Sequence, residues 1–261
     1  MLTRNIALKK RLRAGEVTFG AWLSFSAPAV AEIMAGVGFD WVLIDTEHAP
    51  FSLESLAGVL MAFTGQPTVP IVRIPNNDIV AIKQVLDLGA GGVLIPNICS
   101  AEEARRAVAA CKYPSAGVRG FGPRRASDYY RQTEQYVRLA NDSLIVAIQI
   151  EHGDGVKAAC QILAIPGIDV VLLGPMDLSG SLGLLGQLEH PQVVEAIERV
   201  IAEAFRANLP VGIPINAPPE VVARWVAKGC QFVIVGEDHS MLRRTATQTL
   251  AQFRQQMVGQ H

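Results

Sequence analysis

Apolar residues alternate with two spacings along this chain, and the two spacings alternate with each other. TFGAWLSFS from Thr18 is the first β-rich run; AVAEIMAGVG then sets Val30, Ile33, Met34 and Val37 at helical spacing, ended by Gly36 and Gly38. WVLIDTEH, VPIVRIP and GGVLIPNI are further strands, separated by the helices LESLAGVLMAF and DIVAIKQVLDLGA, the latter with Ile79, Ile82, Val85 and Leu86 on one face. Ser100 and Glu103 form a capping box that opens the helix AEEARRAVAAC. Leu144 to Ile150 and Ile168 to Gly174 bracket a helix-length segment. A helix from about Pro191 repeats Val194, Ile197, Ile201 and Phe205 on its inward side, and LPVGIPIN, PEVVARWVAKG, QFVIVGED and HSMLRRTATQTLAQFRQQM complete the series.

Eight strands alternating with eight helices predict parallel pairing through right-handed crossovers, and within 261 residues this favours an α/β fold of the (β/α)8 TIM-barrel type spanning residues 1–261 as one domain. One connection is out of scale. KYPSAGVRGFGPRRASDYYRQTEQYVRLAND, the long loop at about 113–142, carries Arg119, Arg124, Arg125 and Ser127 and is read as a substrate-facing loop, with a solvated surface loop as the alternative.

Composition narrows the function. Half the residues are hydrophobic and the formal net charge is −1, without a basic stripe or acidic tail, so neither nucleic acid nor an anionic membrane is an indicated partner. The amino terminus carries too many charges for a signal core and no apolar run approaches a membrane span, so a cytoplasmic protein is expected. Cys99, Cys111, Cys160 and Cys230 stand singly and read as reduced thiols.

Barrel chemistry sits at the carboxyl ends of the strands. The polar residues placed there are Asp45, Glu47 and His48, then Arg73, Asn97, Glu151 with His152, Asp177, and Glu237 with Asp238. Glu151 and Asp177 follow neighbouring strands and offer two hard oxygen donors for a divalent cation; helix capping by each is the competing reading. His48 is suited to move a proton near neutrality or to a structural role. Arg73 interrupts an apolar strand, as a fork for an oxyanion or as half of a buried ion pair. Gly174 allows close backbone approach, and the amides of Met176 and Asp177 are available to an anion as the next helix starts. All six lysines, Lys9, Lys10, Lys83, Lys112, Lys157 and Lys228, fall in the amino-terminal segment or in helices, so a Schiff-base mechanism has no nucleophile, and a carbonyl substrate would need a metal to polarise it.

GFDWVLIDTEHAP at 38–50, VRIP at 72–75, LDLGAGGVLIPNI at 86–98, GVRGFGPRRAS at 117–127, QIEHGDGV at 149–156 and PGIDVVLLGPMDLSGSLG at 166–183 together resemble the HpcH/HpaI aldolase family, metal-dependent pyruvate aldolases that include 4-hydroxy-2-oxoheptanedioate and 2-dehydro-3-deoxyglucarate aldolases. The resemblance implies a class II aldolase that interconverts 4-hydroxy-2-oxo acids with pyruvate and an aldehyde through a metal-stabilised enolate. It implies Glu151 and Asp177 as ligands of Mg²⁺, Mn²⁺ or Co²⁺, with Gln149 close by. Arg73 would stabilise the enolate oxygen, and His48 would transfer protons with Asp45 and Asp87 in its supporting network. Gly174, Pro175, Met176 and Asp177 would hold the pyruvate carboxylate, with Ser127 on the substrate side. It also implies a homohexamer, to which the closing helix with Leu250, Phe253 and Met257 would contribute unless those residues serve the core. Met176 and His152 differ from the small residues usual in the family, which leaves the aldehyde open. A related lyase acting on an acyl-CoA thioester or a phosphoenolpyruvate-like substrate, and a non-catalytic oxo-acid-binding barrel, are the alternatives.

Overall fold

The alternating pattern resolves into eight parallel strands in the computed structural model, which describes residues 2–214 and 219–258. They are β1 (Thr18–Leu23), β2 (Trp41–Asp45), β3 (Val69–Arg73), β4 (Gly92–Ile95), β5 (Ile145–Ile150), β6 (Val170–Leu173), β7 (Val211–Pro214) and β8 (Cys230–Glu237). Each pairs with its neighbours in sequence order, and β8 closes on β1, giving the expected (β/α)8 barrel. Ile215 and Asn216, the end of the seventh expected strand, lie outside the described residues.

The helices in chain order are α1 (Leu2–Arg13), α2 (Pro28–Gly36), α3 (Leu53–Ala62), α4 (Ile79–Asp87), α5 (Ala101–Cys111), α6 (Thr133–Ser143), α7 (Gly153–Lys157), α8 (Ala159–Leu163), α9 (Pro175–Ser181), α10 (Pro191–Arg206), α11 (Pro219–Ala227) and α12 (Asp238–Val258). Four depart from the expected eight: α1 and α6 are additional, the helix after β5 divides into α7 and α8, and α9 precedes α10. The capping box that opens α5 is formed as expected, with Ser100 and Glu103 each accepting from the other's backbone amide.

Period-two alternation sorts each strand into an outer layer beneath the helices and an inner layer filling the barrel. On β2, Val42 and Ile44 belong to the outer core while Trp41 and Leu43 belong to the inner one; on β3, Val69 and Ile71 are inner. Trp41 stacks on Phe232 with ring centroids 3.5 Å apart and donates from Nε1 to Thr18 Oγ1 at 3.1 Å. Gly20 makes room for that ring, because a Cβ there would lie 2.2 Å from Trp41 Cε3. The next inward position on β2, β3 and β5 is polar: Asp45, Arg73 and Gln149. The interior is thus apolar below and polar in its topmost layer.

α1 lies across the amino end of the barrel. Leu8 and Leu12, one helical turn apart, join the inner core, each worth about 1.5–3 kcal/mol when fully buried. Lys9 Nζ lies 2.9 Å from Asp169 Oδ1 and donates to Leu144 O, and Asn5 Nδ2 donates to Gly91 O, all at the starts of strands. The segment at 113–142, expected to face substrate, does not face the carboxyl end of its own barrel. The segment follows a helix and precedes a strand, so it emerges at the amino end; Arg125 donates to Leu60 O and Leu88 O there, and residues 133–142 are helical in α6.

Helical periodicity identified faces without fixing their depth. α10 buries Val193, Ile197, Val200, Ile201 and Ala204, whereas Phe205, expected inward, is 85% exposed. Ile33, Val37 and Ile79 are likewise exposed beside buried Met34 and Ile82. Every residue of α12 from Leu242 to Met257 is exposed, so Leu250, Phe253 and Met257 are not core residues.

Candidate active site

At the carboxyl ends of the strands a cavity of about 400 Å³ is lined by residues that include Trp22, Asp45, His48, Arg73, Gln149 and Gly174–Asp177. Arg73 is its fixed point. Its Nε and Nη2 donate to Asp45 Oδ1 and Oδ2 at 2.9 and 2.8 Å, a two-pronged match made possible because Asp45 and Arg73 are register partners on β2 and β3. Trp22 lies under the guanidinium at 4.3 Å. Arg73 Nη1 lies 3.1 Å from Glu47 Oε2, near enough for charge attraction, although that buried oxygen accepts no hydrogen bond among the described residues.

Asp45 therefore holds Arg73 rather than the His48 imidazole. Its Oδ1 also accepts from the backbone amides of Glu47 and His48, at 3.1 and 3.3 Å, and so shapes the turn after β2. His48 reaches the cavity with an exposed side chain, and its Nε2 lies 3.7 Å from Glu47 Oε2. Burial pushes the Glu47 carboxyl above its ordinary range, an effect that Arg73 opposes. Glu47 was legible only as one more acid at a strand end; its position between Arg73 and His48 appears when β2 and β3 pair.

Across the cavity, Glu151 Oε1 accepts from the amide of Asn97 at 2.9 Å, and Glu151 Oε2 accepts from Gln149 Nε2 at 2.6 Å. Asn97 adopts φ 50°, a left-handed turn that presents its amide to the carboxylate. Burial pushes the Glu151 carboxyl up to about 7; the Asn97 amide lowers it, and Asp177 and Glu47 raise it further. Gly174 permits this packing, since a Cβ there would lie 2.5 Å from Glu151 Oε2 and 2.8 Å from Gln149 Nε2. Asp177 stands in the first turn of α9.

This half of the cavity fits a divalent cation. Gln149 Oε1 is buried without a donor, and the Glu151 carboxyl is held near neutrality beside a second acid, so a bound cation would satisfy an acceptor and relieve repulsion. Among the described residues no group of three or more His, Cys, Asp or Glu side chains forms a ready metal cage. Two carboxylates with the remaining positions left to water and substrate is the arrangement Mg²⁺ commonly takes.

Two of the residues expected at the site lie elsewhere in the chain's own barrel. Asp87 ends α4 at the amino end, where Arg119 Nη2 donates to its Oδ1 at 2.7 Å. Ser127 is buried in the loop beyond it and donates to Pro123 O at 2.6 Å. His152 caps α7, its Nδ1 accepting from the Asp154 amide. Among the described residues no lysine lines the cavity.

Comparison with known proteins agrees with this geometry. Residues 18–245 match the family model described as HpcH/HpaI aldolase/citrate lyase. A 4-hydroxy-2-oxo-heptane-1,7-dioate aldolase of Salmonella typhimurium is 43% identical over 249 residues, covering 95% of this chain and 94% of the relative. An HpcH/HpaI aldolase/citrate lyase family protein from Burkholderia cenocepacia superposes with a TM-score of 0.91 at 35% identity, covering 95% and 99% of the two chains. The citrate synthase SbnG gives 0.86 at 30% identity, covering 95% and 98%. The chain, a carbon–carbon lyase, belongs to the HpcH/HpaI aldolase/citrate lyase family.

Proposed function

We propose that the protein is a class II pyruvate aldolase, cleaving 4-hydroxy-2-oxo acids to pyruvate and an aldehyde, or running the reverse addition. The observation that carries this reading is a guanidinium, fixed by Asp45 with Glu47 beside it, facing a buried Glu151–Gln149 pair and Asp177 in a cavity that no lysine lines among the described residues. The Salmonella relative is named for one acid of this class.

Cleaving the C3–C4 bond requires somewhere for its electron pair to go. Glu151 and Asp177 would hold a divalent cation, which would supply positive charge to stabilise the developing enolate. Arg73, locked by Asp45, offers N–H donors to the oxygen on which the electron pair comes to rest, and that preorganisation costs nothing at the moment of reaction. The C4 hydroxyl proton must leave as the bond breaks, and a proton must return to C3. His48, at the mouth of the cavity with Glu47 beside it, exchanges these protons. The first-turn amides of α9, which have no helical acceptor, receive the carboxylate.

The reading includes self-assembly into a hexamer, supported by the exposed Leu242, Leu250, Phe253 and Met257 of α12. The enzymatic claim is tested by pyruvate release from a panel of 4-hydroxy-2-oxo acids, coupled to lactate dehydrogenase, with Mg²⁺, Mn²⁺ or Co²⁺ and again after EDTA. Release that requires the cation is expected. Release that survives complete chelation would overturn the metal-dependent mechanism.

A further inference from the structure

The wall of the cavity formed where β8 closes on β1 is built around a carboxylate that the reaction above does not use. Asp238 is buried and accepts four hydrogen bonds: from the amides of Ser24 and Phe25 at 2.9 and 2.8 Å, from Ser24 Oγ at 2.7 Å, and from the His239 amide at 2.8 Å. It is saturated, and it staples the end of β1 to the start of α12. The three side chains it positions, Ser24, Glu237 and His239, all line the cavity. Ser24 spends its one proton on Asp238, and its oxygen lies 3.1 Å from His239 Nδ1. His239 Nε2 lies 3.1 Å from Glu237 Oε2, to which Ser240 Oγ also donates at 3.3 Å. Among the described residues Glu237 Oε1 has no partner.

This wall presents hydrogen-bond acceptors and a carboxylate, and its one group able to carry a positive charge among the described residues, the His239 imidazole, already faces Glu237. Among the described residues the only guanidinium lining the cavity is that of Arg73, two of whose donors are held by Asp45 and whose free donors serve the pyruvate half in the reaction above. Among the described residues no ammonium lines it, and the sequence of residues 215–218, Ile-Asn-Ala-Pro, carries no charge. Met176, Leu188 and Pro214 supply the apolar surface between the two halves.

We propose that Glu237, with Ser24 and His239, selects the aldehyde half of the substrate, accepting a neutral hydroxylated aldehyde and rejecting one that ends in a carboxylate. The proposal rests on the aldolase reading, since it concerns the second substrate of that reaction. A free carboxylate oxygen beside a hydroxyl and an imidazole accepts the O–H groups of a polyol chain, whereas a terminal carboxylate would stand against Glu237 with only the His239 imidazole, already held by Glu237, to offset it. Glu237 is a specificity-determining residue in this assignment, remote from the groups that handle pyruvate.

The test compares initial rates of aldol addition of pyruvate to glyceraldehyde and to succinic semialdehyde, in Mn²⁺, for the wild type, Glu237→Gln and Glu237→Lys. In parallel, exchange of the pyruvate methyl protons in D₂O reports the first half-reaction without any acceptor. The wild type should favour glyceraldehyde in kcat/KM by about tenfold or more, Glu237→Gln should remove most of that preference, and Glu237→Lys should reverse it. A wild type that exchanges pyruvate protons but prefers the semialdehyde, or a preference unmoved in both variants, overturns the assignment while leaving the aldolase reading intact. A wild type that does not exchange pyruvate protons with metal present overturns both.

Discussion

In the proposed site, Glu151 ties cation binding to pH. Burial, reinforced by Asp177 and Glu47 and opposed by the Asn97 amide and Arg73, raises its carboxyl from an ordinary 4.5 to about 7. That difference corresponds to about 3 kcal/mol between the two protonation states. Because the folded protein holds this proton more tightly than the unfolded chain does, the contribution to metal-free stability is fully present below pH 4.5 and is lost as pH rises through 7. A divalent cation needs the ionised carboxylate, so it must displace the proton. At pH 6, about nine-tenths of a proton should leave Glu151 per cation bound, and at pH 8 about a tenth. Affinity should rise nearly tenfold per pH unit below 7 and level off above it. Titration calorimetry with Mn²⁺ in two buffers of different ionisation enthalpy counts the protons directly. Denaturant unfolding of the metal-free protein at pH 5 and pH 8 reads the stability arm. Glu47 also titrates above its ordinary range, so the quantity to compare is the difference between wild type and Glu151→Gln. Proton release at pH 6 that is absent or equal in the two proteins, with affinity flat from pH 6 to 8, would refute the reasoning.

The remaining predictions concern residues whose geometry leaves little freedom. Gly174→Ala sets a methyl 2.5 Å from Glu151 Oε2 and 2.6 Å from Glu151 Cβ; the carboxylate must move, and Mn²⁺ affinity should fall at least about tenfold with unchanged circular dichroism. Wild-type affinity in that variant would contradict the close approach. Gly20→Ala drives a methyl into the Trp41 ring, which is stacked and hydrogen-bonded in place; overpacking should cost about 3 kcal/mol in denaturant unfolding. Arg73→Lys keeps the charge but loses the fork held by Asp45, so pyruvate proton exchange should slow about a hundredfold, and exchange at the wild-type rate would remove Arg73 from the chemistry.

The barrel was legible because alternation with period two and period 3.6 survives in nearly every element. The same alternation made Arg73 conspicuous, since it occupies the inward position above Val69 and Ile71. α1 was harder to read: Leu8 and Leu12, its apolar residues in the inner core, stand among charged neighbours, and their partners lie in strands far along the chain. Chain order alone places the 113–142 segment at the amino end, but its arginines suggested substrate and masked that constraint. The family resemblance sets Asp45 in the His48 network, whereas the geometry matches its carboxylate to Arg73 across the sheet. The Ser24–His239–Glu237 wall needed closure of the barrel, which joins residues 213 to 215 positions apart.

α1 packs Leu8 and Leu12 into the same apolar inner core as the Trp41–Phe232 stack, and that core forms the floor beneath the polar layer of the cavity. Arg73 and Gln149 lie at its depth, with 7% and 3% exposure, while His239 and Glu237 stand at the rim. Depth then becomes sequence in time: the oxo acid must enter before the aldehyde and leave after it. Steady-state kinetics should be ordered, with pyruvate a competitive product inhibitor of cleavage and the aldehyde a noncompetitive one. Random-order inhibition patterns would mean that the two halves of the chamber exchange ligands independently.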